Sequence, residues 1–293
     1  MFVDRTRAAT LLAQPDEFTL SLSEFDRAAR ARRIPPPNDE QIRAHFAAQA
    51  LDWPPERAGE VEASAARIGK KLASFEHWLP ERIELVAATN ASEEGAAHTR
   101  GMAVIVPLSA LERSGPELDS LLVHELFHIL SRHNPALRDR LYGLIGFQPC
   151  PGFQIPSELR NRVITNPDAP RVAHAIRVES RGIGKWVAPV LLADPPRYDP
   201  QVGGDLFVYL TVRFIPVSRE AELCQVEAGA GQQLFAAEQL SGLSEQIGEN
   251  TTYTIHPEEI LADNFSLLVN GARNLPTPEL IARLRELMSA HAR

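Results

Sequence analysis

Two histidines and a glutamate stand close together in the segment Leu121-Leu-Val-His124-Glu125-Leu-Phe-His128-Ile-Leu130. Residues four apart on a helix share one face, so the imidazoles of His124 and His128 can reach a single metal ion. Glu125 follows His124 and can take a proton from water bound to that ion. Such polar residues at the centre of an apolar helix are costly to bury unless they are paired or bind a metal. The alternative is an exposed polar face of an ordinary helix.

A catalytic zinc site takes three protein ligands and leaves the fourth position to water. His133 is the nearest candidate for the third ligand. The metzincin pattern, however, places Gly three positions and His six positions after the second histidine, where this chain has Ser131 and Asn134. That pattern is therefore excluded, and we expect His133 at the C-terminus of the helix, where the helix dipole favours it.

A second motif lies far downstream, in Tyr253-Thr-Ile-His256-Pro-Glu-Glu259-Ile-Leu-Ala262-Asp263-Asn-Phe265. With the first motif, it resembles the gluzincin clan of zinc metallopeptidases, in which a second helix carries E-x-x-A-[DE]-x-F. The resemblance implies that Glu259 is the third metal ligand and that Asp263 fixes the tautomer of a ligating histidine. Between His128 and Glu259 lie 130 residues, more than is usual in the clan. We attribute the excess to an inserted region.

Three neighbours of Glu259 have more than one interpretation. The resemblance implies that the hydroxyl of Tyr253 supports the oxyanion of the reaction, whereas the alternative is a packing role. We expect His256 to cap the helix before Pro257, with a substrate contact as the alternative. The spacing of the motif selects Glu259 as the ligand rather than the adjacent Glu258.

The resemblance implies one Zn²⁺ ion and the hydrolysis of peptide bonds. Zinc would polarise the carbonyl and activate water, and Glu125 would pass the proton of that water to the leaving amine. The implied partner is a peptide or protein substrate, and we expect it to pair with a strand at 99–107, where Gly101 allows close approach of a backbone. The alternative is an ordinary internal strand, and His98 at its entrance is expected on the surface.

Two other functions fit the same motifs. One is a zinc hydrolase acting on another amide. The other is a regulatory or binding module that retains a metallopeptidase fold without turnover. A degenerate site commonly loses one of its functional residues, so the intact His124, Glu125, His128 and Glu259 argue against the second function.

Apolar spacing and turn residues predict the secondary structure. Helices are predicted in 1–35 and at 39–50, 55–75, 114–132 and 257–270, and from 277 to the C-terminus; strands are predicted at 82–87, 99–107, 172–178, 186–192 and 206–216. Ser21 with Glu24, and Ser114 with Glu117, have the spacing of capping boxes. Gly271 is expected to close the helix that precedes it in a left-handed conformation.

These elements predict an α+β fold, namely a mostly helical zincin-like metallopeptidase domain with a small sheet before the motif helix and an inserted β-rich region. Four consecutive regions are expected: an N-terminal helical region (1–80), a zincin core with the motif helix (81–150), a loop and β-rich insert (151–245), and a C-terminal helical part that completes the metal site (246–293).

Composition narrows the classes of protein. The net charge of −8 argues against nucleic-acid binding, which needs clustered Lys and Arg. Cys150 and Cys224 lie 74 positions apart, which favours two isolated thiols, with one disulfide as the alternative. No apolar run has the length of a membrane span or a signal peptide. We therefore expect no membrane partner and a cytoplasmic location, or export by a route that needs no such signal.

Overall fold

A computed structural model of the chain describes residues 1–220, 223–227 and 229–289. Its α-helices, in chain order, are α1 (Arg5–Ala13), α2 (Glu17–Ser21), α3 (Glu24–Arg30), α4 (Asp39–Ala47), α5 (Pro55–Leu72), α6 (Gly115–His133), α7 (Pro135–Leu144), α8 (Ser157–Arg160), α9 (Leu206–Tyr209), α10 (Leu243–Ile247), α11 (Pro257–Asn270) and α12 (Pro278–Ser289). The predicted continuation of the last helix to the C-terminus lies outside the described residues.

The strands lie between these helices along the chain, singly or in succession. They are β1 (Ala50–Leu51), β2 (Glu84–Ala88), β3 (His98–Arg100), β4 (Ala103–Pro107), β5 (Phe147–Pro149), β6 (His174–Ser180), β7 (Ile183–Ala193), β8 (Leu210–Glu220) and β9 (Leu223–Val226). The protein is therefore a mixed α+β protein, as predicted.

Contacts between residues group the chain into two compact units, each assembled from separated segments. The first unit contains Met1–Asp16, Asp39–Arg138 and the described residues from Leu261 onward. The second contains Glu17–Asn38 and the described residues of Asp139–Ile260. Two of the four boundaries along the chain fall within α7 and α11. The two units are described separately below.

The first unit has a four-stranded sheet in the order β1-β2-β4-β3. The central strands β2 and β4 run parallel with Val86 opposite Ile105, and every residue of β4 is buried. The predicted single strand at 99–107 is wrong, because the chain reverses at Gly101, whose φ of 57° is readily adopted only by glycine. Since β4 lies between β2 and β3, it has no edge left for a substrate strand.

The prediction for His98 is also wrong. Its side chain is buried, and its Nδ1 lies 3.1 Å from the carbonyl oxygen of Ala96. The sequence placed His98 at the entrance of a strand and hence near solvent. In the structure it belongs to β3, whose three residues are all buried.

The motif helix α6 is tied to α5 near its N-terminus. Asp119 accepts hydrogen bonds from Ser64 Oγ at 2.6 Å and from Arg67 Nη2 at 2.8 Å. Burial raises the pKa of Asp119, but these hydrogen bonds and the positive charges of Arg67 and Lys71 lower it more, so the pKa lies below its usual range. The carboxylate is therefore stabilised in its charged form, and it fixes α6 against α5.

The start of α6 is close to its predicted position, although the predicted capping box is wrong. The side chain of Ser114 makes no capping hydrogen bond. Its carbonyl oxygen instead accepts from the backbone N–H of Glu117 at 3.2 Å. Pro116 occupies the first turn, where a missing N–H leaves no intrahelical bond unmade.

The second unit is built on a five-stranded antiparallel sheet in the order β5-β6-β7-β8-β9. One face of this sheet packs a core of Leu159, Val190, Leu192, Ile215 and Ala230. The predicted strand at 206–216 is wrong at its start, where the chain forms α9 before β8. Asp205 explains this difference, because its side chain accepts a hydrogen bond from Val208 N and caps the helical turn.

Cys150 and Cys224 form a disulfide in the second unit, with an S–S distance of 2.06 Å and Cα atoms 5.1 Å apart. The expectation of two isolated thiols is wrong. The backbone brings the cysteines together, because Cys224 N donates to the carbonyl oxygen of Pro151 at 2.9 Å. The sequence separation of 74 residues carries no information about this contact.

The N-cap of α3 differs from its prediction by two residues. Ser23 accepts from Asp26 N, and the side chain of Asp26 accepts from Ser23 N, which together form a capping box. Ser21, the predicted cap, is instead the last residue of α2.

The prediction for the helix at 257–270 is confirmed, and it ends at Gly271 with a φ of 66°. None of the helices in the described part of the chain is both long and apolar enough to cross a membrane.

Candidate metal centre

The motif residues lie on one helix, α6. His128 is 1% exposed and Glu125 is 2% exposed, so both polar side chains are buried. The rings of His124 and His128 lie on one face, with centroids 4.8 Å apart and planes at 81°. The exposed polar face that was the alternative for this motif is therefore excluded. The helix buries these groups because apolar neighbours such as Leu122, Phe127 and Leu130 are fully or almost fully buried beside them.

The helix α11 carries the second motif and is bonded to α6 within the first unit. Phe265 packs on Phe127 with ring centroids 5.6 Å apart, and neither ring is exposed. One turn further along, Ser266 Oγ donates to the carbonyl oxygen of Ser120 at 2.9 Å. Ala262, on the same helix, is fully buried. These contacts fix α11 from Leu261 onward against α6 within the first unit.

Three ligand atoms converge where the two motifs meet. His124, His128 and Glu259 each offer one, and these atoms all lie within 4.8 Å of one another. Atoms bound to one tetrahedral zinc ion lie about 3.3 Å apart, so the side chains need to close by no more than about 1.5 Å. Glu259 is 3% exposed, and a buried carboxylate needs a cation or hydrogen-bond donors. The set can therefore hold a metal ion.

One of the two histidines has a fixed ring orientation. His124 Nδ1 lies 2.8 Å from Asp263 Oδ1. A carboxylate accepts hydrogen bonds, so Nδ1 is the donor and the lone pair of Nε2 is available to a metal ion. This is the contact that the resemblance implies for Asp263. Asp263 lies four residues after Glu259 on α11, so one helix face supplies both the carboxylate of this group and the partner of His124.

A second group of ligand atoms comes from Glu125, His128 and Asp168, also within 4.8 Å of one another. It shares His128 with the first group. Two imidazoles and one carboxylate are the usual protein ligands of a catalytic zinc ion, which favours the first group and leaves Glu125 out of the ligand set. Asp168 lies in the loop between α8 and β6, and no motif in the sequence pointed to it.

The neighbours of Glu259 have distinct positions. His256 caps α11 as predicted, since its Nδ1 accepts from Glu258 N at 3.1 Å. Glu258 accepts a hydrogen bond from Tyr142 Oη and takes no part in the metal-binding group. Tyr253 lies in the loop before α11 and is 42% exposed, so its role as an oxyanion donor stays a prediction. His133 is the last residue of α6, as expected.

Sequence reasoning also missed Asn166, whose Nδ2 donates to Glu259 Oε1 at 2.6 Å. The two residues are 93 positions apart, and the only local signal is that Asn166 precedes a proline in a turn-rich loop.

Comparison with protein families, with curated proteins and with solved structures finds no match to this chain. The resemblance to the gluzincins therefore rests on the two motifs, and both the zincin-like fold and the peptidase class stay predictions.

Proposed function

We propose that this chain is a zinc-dependent peptidase and that His124, His128 and Glu259 hold one zinc ion. The observation that carries the proposal is the convergence of these three ligand atoms within 4.8 Å. Residues four apart on a helix come together in any helix. Glu259, however, is separated from His128 by 130 residues and was selected by its motif alone. Chance packing gives no reason for that residue to meet the two histidines.

The donor set fits zinc. It consists of two imidazole nitrogens and one carboxylate oxygen, as in catalytic zinc sites that leave the fourth position open. Asp263 supports these three ligands by accepting a hydrogen bond from His124 Nδ1, which leaves His124 Nε2 to bind the metal ion. A bound zinc ion would polarise the peptide carbonyl and lower the pKa of water toward neutrality.

Glu125 is the proposed general base. It is adjacent to His124 on α6 and buried, so its carboxylate is held beside the ligands rather than in bulk solvent. We propose that it accepts a proton from the attacking water and then delivers that proton to the leaving amine. Tyr253 is the proposed donor to the oxyanion, and a donor placed in this way typically contributes about 10²–10³ in rate.

The substrate and location belong to the same proposal. A peptide or protein substrate follows from the resemblance of the two motifs. The cytoplasmic location also stays a prediction. The disulfide between Cys150 and Cys224 weighs against it, because disulfides persist mainly in oxidising compartments.

The first test is zinc content, measured by elemental analysis on the wild type and on Glu259→Ala purified side by side. We expect about one zinc ion per wild-type chain and a large loss in the folded variant, because a catalytic site depends on each of its three ligands. Zinc retained in Glu259→Ala would exclude Glu259 as the third ligand. Glu279→Ala is the control, since it removes an exposed carboxylate of α12 that is not a proposed ligand.

The second test is hydrolysis of a peptide library, followed by mass spectrometry. Glu125→Gln keeps the shape of the side chain and should keep the zinc ion. It should lose about 10²–10⁴ in rate, the usual contribution of a general base. A zinc-loaded wild type that cleaves no peptide but hydrolyses other amides would replace the peptidase with the amide-hydrolase alternative.

A further inference from the structure

Asn166 contacts the proposed third ligand directly. Its Nδ2 donates a hydrogen bond of 2.6 Å to Glu259 Oε1, and Glu259 is 3% exposed. We propose that Asn166 is a positioning residue that holds the Glu259 carboxylate in the orientation needed to bind the metal. This inference rests on the proposed function. Every contact used below lies within the second unit.

The orientation of the Asn166 amide is determined by its second hydrogen bond. The backbone N–H of Asp168 donates to Asn166 Oδ1 at 2.9 Å. A backbone N–H can only donate, so the amide oxygen must face Asp168 and the amide nitrogen must face Glu259. This is an Asx-turn, and Pro167 between the two residues restricts the backbone further. The donor is therefore directed at the carboxylate before any metal binds.

The loop that carries Asn166 is fixed through the preceding residue, Thr165. Thr165 N and Oγ1 both donate to Asp26 Oδ2, at 3.0 and 2.7 Å. Asp26 forms an ion pair with Arg30, and Arg30 Nη2 donates to the carbonyl oxygen of Thr165 at 2.8 Å. Asp26 is fully buried and Thr165 is 3% exposed. The closed ring of three residues therefore holds the backbone next to Asn166 in one place.

The backbone on the other side of the contact is also fixed. His256 Nδ1 accepts from Glu258 N, and Tyr142 Oη donates to the Glu258 carboxylate. Both the backbone N–H and the carboxylate of Glu258 are hydrogen-bonded, and these two bonds fix the first turn of α11. The side chain of Glu259 can also rotate about its own bonds, and the hydrogen bond from Asn166 restricts that rotation. Partners of this kind typically contribute about 10–100-fold to metal affinity.

The simpler interpretation is that Asn166 only satisfies a buried carboxylate and stabilises the fold. The two interpretations differ in what the substitution Asn166→Ser changes. Serine can still accept from Asp168 N and keep the turn, but it is too short to reach Glu259. A role in stability alone lowers the melting temperature and leaves the metal site unchanged. A positioning role weakens metal binding in a protein that remains folded.

The experiment uses the full chain, with zinc affinity measured by competition with a chromophoric chelator. The variants are Asn166→Ser and Asn166→Ala, and the matched control is Asn161→Ser, an exposed asparagine in the same segment. We expect zinc binding about 10–100-fold weaker for both Asn166 variants and unchanged for the control. The visible absorption spectrum of the Co²⁺-loaded protein should also change, because it reports the ligand geometry. The melting temperature of the metal-free protein is recorded for each.

Each outcome decides the inference. Wild-type zinc affinity and an unchanged Co²⁺ spectrum in both Asn166 variants would overturn it and leave the proposed zinc site in place. An equal loss in Asn161→Ser would overturn it as well, since the effect would then be general. A wild type that binds no zinc would overturn the proposed function, and this inference with it.

Discussion

The hydrogen bond between Asp263 and His124 gives a quantitative test of the metal centre. Its length of 2.8 Å is in the range of about 2.7–2.9 Å found for charge-assisted bonds. The substitution Asp263→Asn keeps an oxygen that can accept from Nδ1 but removes the charge. Hydrogen bonds to charged groups contribute about 1.5–3 kcal/mol and neutral ones about 0.5–1.5 kcal/mol. The difference predicts that Asp263→Asn weakens the bond to His124 by about 1–1.5 kcal/mol.

That free energy converts to a change in zinc affinity of about 5–12-fold. The side chains of His124 and Asp263 are 16% and 32% exposed. Solvent therefore screens their interaction, and we expect a change in zinc affinity near the lower end of this range. Asp263→Ala removes the acceptor altogether and should approach about 100-fold. The expected order of zinc affinity is therefore wild type, then Asp263→Asn, then Asp263→Ala.

The assay is chelator competition on purified, folded protein, and the chain offers a matched control. Asp139 also accepts from a histidine, His174, at 2.9 Å, and the side chains of His174 and Asp139 are 7% and 39% exposed. His174 takes no part in either group of potential ligands, so Asp139→Asn should leave zinc affinity unchanged. Zinc binding as tight as in the wild type for both Asp263 variants, together with weakened binding in Glu259→Ala, would refute a role for Asp263 at the metal centre.

Two further predictions concern stability. Replacing Cys150 and Cys224 with serine should lower the free energy of unfolding by about 2–5 kcal/mol, because the denatured chain gains the freedom of a long loop. Urea denaturation measures the change, and the unreduced, denatured wild type should show no free thiols. Asp119→Asn should lower the free energy of unfolding by about 1–3 kcal/mol at neutral pH, since it weakens the bonds to Arg67 and Ser64. Because the pKa of Asp119 is depressed in the folded state, its contribution is present above the unfolded pKa of about 4 and disappears as pH falls through the folded pKa. A wild type and a variant that stay equally far apart in stability down to the acid limit would contradict this account.

Local periodicity explains what could be predicted from the sequence. His124 and His128 share a helix face because of their spacing, and so do Glu259 and Asp263. The stop of α11 at Gly271 follows from the left-handed conformation that glycine tolerates. These features depend on residues within one or two turns, so the sequence contains the information needed to find them.

The remaining features depend on contacts between distant residues. The loop with Asn166 is held by buried hydrogen bonds that include those of Thr165 with Asp26, 139 positions earlier in the chain. The disulfide joins residues 74 apart, for which the spacing was uninformative. The division of the predicted strand at 99–107 into β3 and β4 was missed for a different reason. Apolar and β-branched residues on both sides of Gly101 favour one continuous strand, and the turn needs only that one glycine. Tertiary context decides each of these cases.

The separated segments of the first unit have a consequence for synthesis of the chain. His124 is followed 139 positions later by its partner Asp263, and the same unit needs residues from Leu261 onward. At about 5–20 residues per second, the ribosome takes about 7–28 s to cover that distance. During this interval α6 has been made but Phe265 has not, so the face of Phe127 that packs on it is exposed to solvent or to a chaperone. Under the proposed function, metal loading must follow the completion of most of the chain. A ribosome stalled before residue 259 would leave His124 and His128 without the proposed carboxylate ligand.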